Sequence, residues 1–293
     1  MNLSPSLRGH AAMLVFSALV AGSFSLGERA APLVDPAVLT ALRFPLAAVL
    51  LGVAAWASGG LTARAAQAPW RYLLLGALMA VYFILMFEGL KTAAAVPTAA
   101  VFTLTPVMAA GFGWLVLRQR TTPRMALALA VGATGALWVI FRADLAALMR
   151  LEIGRGEMVY FWGCAAHALY TAMVRRLNRG EGALTFACGT MTAGSLMLLV
   201  WTAPALLRLD WGAVPAIVWV TLAYTSVAAT AVTTALVQYA ALRLPASKVM
   251  AYTYLVPAWV ILWERAMGGT MPPAIVGLGV LMTGAALILL LKE

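Results

Sequence analysis

The chain has 293 residues, 63% hydrophobic and only 10% charged, with a mean hydropathy of +0.93. That composition excludes a water-soluble globule and fits one unit whose outer solvent is lipid. A formal charge of +10 would suit nucleic acid if the 20 Lys and Arg residues shared one face, but they fall mainly in short connections, so no nucleic-acid partner is expected.

In chain order, Arg, Pro and Gly clusters separate ten apolar segments, each near the ~20 residues that cross ~30 Å of hydrocarbon. They run over 9–28, 36–58, 70–91, 95–117, 123–141, 157–177, 183–204, 213–240, 246–266 and 272–291. The polar start, Met1 to His10, leads into a stretch with no small-residue cleavage site, so the first segment reads as a retained helix. The connections are short except 142–156, which carries Arg142, Asp144, Arg150, Glu152 and Arg155 and joins two units, 1–141 and 157–293. Cys164 and Cys188 lie inside apolar segments and read as packing residues. No metal or other cofactor is expected.

With the N-terminus in the cytoplasm, the inner connections hold twelve basic residues: Arg8, Arg64, Arg71, Arg118, Arg120, Arg124, Arg175, Arg176, Arg179, Arg243, Lys248 and Lys292. The outer ones hold seven: Arg29, Lys91, Arg142, Arg150, Arg155, Arg208 and Arg265. This bias places both termini in the cytoplasm.

The second five segments echo the first five. Pro123 and Thr134-Gly135-Ala136 match Pro272 and Thr283-Gly284-Ala285 at the same spacing, and Leu39-Thr40 with Trp56 matches Leu184-Thr185 with Trp201. Pro106 and Pro257 lie mid-segment at equivalent places. An odd number of spans per copy forces the second copy to enter the membrane upside down. The expected fold is therefore all-α and polytopic, ten transmembrane helices in a 5+5 inverted-topology repeat, an architecture suited to alternating access around a mid-membrane site.

The run Ala41-Leu42-Arg43-Phe44-Pro45-Leu46-Ala47-Ala48, the Pro106-Val107 and Val256-Pro257 segments and the 5+5 order resemble the drug/metabolite transporter superfamily, in its ten-helix EamA-type exporter branch, over nearly the whole chain. Within that branch the chain is most similar to the YddG-type bacterial exporters of aromatic and other neutral amino acids. The resemblance implies a multi-pass protein of the bacterial inner membrane that exports such solutes. One departure concerns the family's Gly-Glu-Arg ending. After the fourth span it is Arg118-Gln119-Arg120, and after the ninth Gly268-Gly269-Thr270, so no role is carried over for that glutamate.

Depth selects the candidate site residues, because polar groups near the bilayer centre are costly unless they face the bundle or water. Charges fail this filter: Glu28, Glu88, Glu264 and Arg265 lie at outer ends, and Arg43 lies roughly 10 Å deep at ~1.5 Å per residue. Arg43 is expected to snorkel or to pair with Glu88 as an outer tie or gate. His167 sits mid-segment on a stripe with Tyr160, Cys164 and Thr171. It either lines a cavity or bonds a neighbouring helix, and its near-neutral pKa in water makes it the candidate proton carrier. Tyr82, Tyr224, Tyr252 and Tyr254 also lie away from the interfaces and either face a central chamber or bond between helices. Ser23 and Thr105, with Thr103, Thr225, Ser226 and Thr230, allow close approach and polar contact. Pro106 and Pro257 each free a carbonyl and permit bending, as hinges or substrate acceptors. Trp56, Trp70, Trp114, Trp201, Trp211 and Trp219 read as interfacial anchors.

No Lys or Arg is expected at mid-depth, which argues against multiply anionic solutes, and no buried carboxylate, which argues against lipophilic cations. Net-neutral solutes remain, an amino acid-like one foremost. A Walker loop is absent, so the chain itself drives no ATP-powered pump. Facilitated diffusion is favoured over proton exchange through His167, and export of small drugs or other metabolites by proton antiport is the alternative. A polytopic enzyme lacks a reactive constellation here, and a channel lacks a continuous polar lining. Gly132, Gly135, Ala136, Gly277 and Gly284 on the fifth and tenth spans pack within a monomer or between two copies.

Overall fold

The computed structural model describes residues 5–62, 65–150, 152–269 and 272–291, and those residues form helices and turns with no strand among them. Arg64, Lys292 and Thr270, invoked above, lie outside the described residues. In hydrocarbon each backbone N–H and C=O must find its partner within the chain, and helices meet that demand locally. The first five are α1 (Pro5–Ala30), α2 (Pro36–Ala57), α3 (Trp70–Leu90), α4 (Ala95–Leu117) and α5 (Pro123–Ile140). The second five are α6 (Arg155–Leu177), α7 (Ala183–Arg208), α8 (Ala216–Ala241), α9 (Ala246–Ala251 continuing through Val256–Ala266) and α10 (Val276–Leu291).

Local chemistry sets several of these ends. Asp35 caps α2 by accepting from the amides of Ala37 at 2.8 Å and Val38 at 3.1 Å, with Pro36 as the first helical residue. Thr122 caps α5 in the same way, ahead of Pro123. Two ends differ from the sequence expectation. α7 runs through Pro204 to Arg208, since one lost amide is tolerated in a helix otherwise bonded, and α10 starts at Val276, because Pro272 and Pro273 precede a series of tight turns.

Helix contacts establish the inversion. Gly52 of α2 approaches Cys188 early in α7, while Phe44, earlier in α2, meets Gly194 later in α7. In α5 and α10, the Trp138 indole donates to the Ile275 carbonyl at 2.9 Å and Gly135 opposes the Gly279 carbonyl. The first half of α4 lies on the second half of α9, and the second half of α4 on the first half of α9. All three pairs join equivalent helices of the two copies and run antiparallel, which only a two-fold axis in the membrane plane produces. The remaining contacts obey the same axis, α3 against α6 matching α8 against α1. Gly132, Gly135 and Ala136 are consumed by this packing inside the chain, whereas a Cβ on Gly277 or Gly284 would meet nothing within 4 Å.

Three helices are broken near the axis. α4 unwinds at Thr103 and Leu104 and restarts at Thr105, placing Pro106 in a first turn where no amide is needed. α9 passes through a 3-10 turn, Tyr252–Leu255, before Pro257 occupies the corresponding first turn. α8 widens into a π-turn over Val227–Val232. The proposed anchors Trp56, Trp70, Trp114, Trp201, Trp211 and Trp219 all lie exposed on the outer surface of the bundle.

Candidate functional site

Where the two copies meet, α1, α3, α6 and α8 enclose a small chamber. Its walls are Phe16 and Val20 from α1, Met79, Tyr82 and Phe83 from α3, His167 and Tyr170 from α6, and Ala229, Thr233, Thr234 and Val237 from α8. The expected hydrated chamber is not found here: the cavity has a volume of about 10 Å³, room for roughly one water, and is walled mainly by rings and apolar side chains. His167 stands at the centre of a ring stack: its imidazole is 4.3 Å from the Tyr82 ring, 5.5 Å from Phe102, 6.1 Å from Tyr170 and 6.3 Å from Phe16, all near parallel. Its Nδ1 is buried without a hydrogen-bond partner, as is Thr234 Oγ1 on the facing helix. Behind Tyr82, the Tyr160 hydroxyl donates to the Tyr82 hydroxyl at 3.4 Å, a long and weak bond.

Arg43 departs from expectation. Its side chain neither snorkels nor meets Glu88, which pairs instead with Lys91 at 2.7 Å near the surface. The guanidinium turns inward and is fully buried. Nε and Nη2 donate to Thr230 Oγ1 at 2.9 and 2.6 Å, and Nη2 reaches the carbonyls of Thr225 and Ala229 at 3.4 Å. Thr230 and Ala229 lie in the π-turn of α8, and Thr225 lies just before it. The Phe83 ring lies 3.9 Å beneath Cζ, a cation–π contact. The bundle interior therefore does hold a cation, contrary to the depth argument.

The other candidates are interior but not brought to the chamber wall. Tyr224 donates to the Leu19 carbonyl at 2.7 Å and fills the notch left by Gly22, so it locks α8 onto α1. Tyr254 fills a notch at Gly132 on α5, and Tyr252 lies 6.0 Å from His10. Ser23 is buried on α1 with no partner for its hydroxyl. Thr105 donates to the Phe102 carbonyl and lies 3.2 Å from Thr253 Oγ1, where α4 crosses α9. Those contacts correct the expectation of free acceptors beside the prolines: Thr105 takes the carbonyl that Pro106 would leave open, and the Val256 amide takes the Thr253 carbonyl. The sequence reading missed Phe16, Phe83, Phe102, Tyr170 and Gln238. Gln238 donates to the Tyr170 hydroxyl at 2.9 Å and to Thr190 Oγ1 at 3.3 Å. A buried amide in an apolar span was the signal available for it.

Ion pairs secure both ends of the bundle. At the end where α1 finishes, Arg29 grips Glu264 of α9 with two bonds of 3.2 and 3.1 Å, and Glu28 accepts from the Ala95 amide at 2.8 Å, capping α4. At the opposite end, Arg71 donates to Glu181 at 2.7 Å and to the Leu177 carbonyl at 2.7 Å, tying α3 to the α6–α7 turn. Burial works to raise the Glu181 carboxyl, but the Arg71 guanidinium and the Arg179 amide outweigh it and hold the group below the usual carboxylate range.

Two inverted five-helix copies, broken helices at their crossing and an inward-facing cluster of aromatic rings form a polytopic membrane bundle of the kind that carries small molecules. The chain belongs to the EamA-like transporter family, whose sequence profile matches residues 7–141 and 154–292. No individually curated protein matches it. Among 27 matching chains of known structure, one crystal structure of a protein, 18% identical, aligns over 98% of this chain and 96% of its own with a TM-score of 0.72. At that identity the likeness concerns the fold.

Proposed function

We propose that the protein exports small net-neutral metabolites, amino acids with aromatic or other neutral side chains foremost, from the cytoplasm across a bacterial inner membrane by alternating access. The observation that carries this reading is the stack of Phe16, Tyr82, Phe102, His167 and Tyr170 around the chamber. Ring contacts of this kind are worth about 0.5–1.5 kcal/mol each beyond area burial, and they favour a flat or apolar side chain without selecting one amino acid. The resemblance to YddG-type exporters supports the same solute class.

A chamber of about 10 Å³ admits no amino acid, so in this reading the copies part to load it. The breaks at Pro106 and Pro257 are the hinges of that motion, and the Arg29–Glu264 clasp is the outer gate. Both termini lie in the cytoplasm in this reading. Transport is facilitated diffusion: the His167 imidazole is surrounded by rings and bonds no carboxylate through Nδ1, so a proton relay lacks its second member.

The test is counterflow in proteoliposomes with a panel of radiolabelled amino acids, with and without a pH gradient. Saturable counterflow of phenylalanine or another neutral member, indifferent to the gradient, is expected. Accumulation driven by the gradient would reassign coupling to proton exchange, ohmic current would indicate a channel, and silence across the panel would remove amino acids as the solute.

A further inference from the structure

Arg43 is a full positive charge placed where a carrier of wholly uncharged groups has no use for one. A cation this deep is costly unless paired, and an ionisable group inside a membrane bundle marks function more often than scaffold. None of the four ion pairs among the described residues includes Arg43. Its strong bonds both go to one hydroxyl, Thr230 Oγ1, its two carbonyl contacts are long at 3.4 Å, and Nη1 bonds nothing. Phe83 and Ala229, which touch the guanidinium, also line the chamber, so the charge stands directly behind the chamber wall.

Two unpartnered polar groups line the chamber itself, His167 Nδ1 and the Thr234 hydroxyl, and a third, Gln238 Oε1, belongs to the side chain that bonds the chamber residue Tyr170. Arg43 Nη1 donates, and the Thr234 hydroxyl donates or accepts. Gln238 Oε1 accepts only, and His167 Nδ1 accepts in the tautomer that carries its proton on Nε2. The geometry points to Arg43 as the anchor for the carboxylate of the transported solute, with the chamber hydroxyl of Thr234 as a second donor and with His167 Nδ1 receiving the ammonium. A carboxylate offers two coplanar acceptors that match the guanidinium fork, and its charge-assisted bonds replace the two long carbonyl contacts while Thr230 keeps the side chain aimed. This rests on the amino acid reading above and adds to it the group by which the solute is held.

The test uses the full chain in lipid nanodiscs and equilibrium binding of radiolabelled phenylalanine, displaced by unlabelled phenylalanine or by phenylalaninamide, which keeps the ring and the amine but loses the carboxylate. Wild type should be displaced by phenylalanine at a concentration ~10-fold or more below that of the amide, the scale of one charge-assisted bond. Arg43→Gln should bring that ratio near one, and Arg43→Lys should leave it in between. Equal displacement of wild type by both competitors overturns the assignment without any variant. So does a preserved preference in Arg43→Gln, or an equal loss for both ligands in a folded variant, which would mark a purely structural arginine. If Arg43→Gln does not fold, Arg43→Lys decides, and an unchanged ratio there overturns the assignment. A chloride requirement lacking any carboxylate preference would give the site to an inorganic anion instead. Failure of wild type to bind any amino acid would sink the functional reading itself, a distinct result.

Discussion

The imidazole of His167 lies nearly flat on the ring of Tyr82, with centroids 4.3 Å apart and planes 17° apart. This contact joins the sixth helix to the third across the repeat boundary, and both rings line the chamber. Because the Tyr82 hydroxyl makes only a 3.4 Å bond, the ring and not the oxygen carries the contribution. Tyr82→Ala should lower aromatic amino acid flux in proteoliposomes by roughly tenfold, the equivalent of one ring contact. Tyr82→Phe should stay within about twofold of wild type by the same reasoning. Equal losses in the two variants would move the role to the hydroxyl.

Small residues carry a second prediction. Where α5 crosses α10, a Cβ at Gly135 would stand 2.7 Å from the Gly279 carbonyl, and one at Gly279 would stand 2.6 Å from the Gly135 carbonyl. Neither backbone can yield without separating the helices, so the pair fixes how closely α5 and α10 approach. Gly135→Val should cost about 1–3 kcal/mol, the usual penalty of overpacking, and lower the thermal midpoint of the detergent-solubilised protein. Gly277→Val, on an open face of α10, should leave that midpoint nearly unchanged.

Much of this architecture was legible because its causes are local. Length and apolarity fix a span, and an odd number of spans per repeat fixes the inversion. Pro106 and Pro257 flagged the broken helices, since a missing amide is a property of the residue itself. Direction was not legible. Depth along α2 says how far Arg43 lies from the surface but not which way its long side chain turns, and its principal acceptor, Thr230, belongs to a π-turn with the unremarkable sequence Val-Ala-Ala-Thr-Ala-Val. Tyr224 and Tyr254 were drawn to the chamber by their polarity alone. Their actual places are notches at Gly22 and Gly132 on other helices, a fit between surfaces that no single segment encodes.

Acid should weaken the bundle at one identifiable place. Glu181 is ionised against Arg71 in the folded protein, with its carboxyl held below the ordinary value of 4.5. A depressed folded pKa means the stabilisation is fully present above the unfolded value and is lost as pH falls through the lower, folded one. Thermal midpoints measured from pH 6 down to pH 3 should therefore fall most steeply below about 4.5. Glu181→Gln leaves Arg71 buried without its counter-ion, so it should lower the midpoint at pH 6 by the equivalent of about 3–5 kcal/mol and flatten the acid dependence. An acid profile identical to wild type would show that other carboxylates govern it.

The two copies differ in how they close, and that difference can be edited. Ala95 and Ala246 open the equivalent helices α4 and α9, and each amide is accepted by a side chain from outside its helix. At α4 the acceptor is the Glu28 carboxylate at 2.8 Å, and at α9 it is the neutral Gln119 Oε1 at 3.3 Å. A carboxylate at a helix N-terminus gains from the helix dipole, about 0.3–1 kcal/mol at exposed sites, and its bond to an amide is shorter and stronger than an amide oxygen's. Arg120 and Arg175 line the same recess as Gln119 and would add attraction. Gln119→Glu should therefore tighten the end of the bundle where α9 begins, raise the thermal midpoint slightly and slow counterflow, because opening at that end must now break a charge-assisted contact. Faster exchange with an unchanged midpoint would mean that this end does not open during transport.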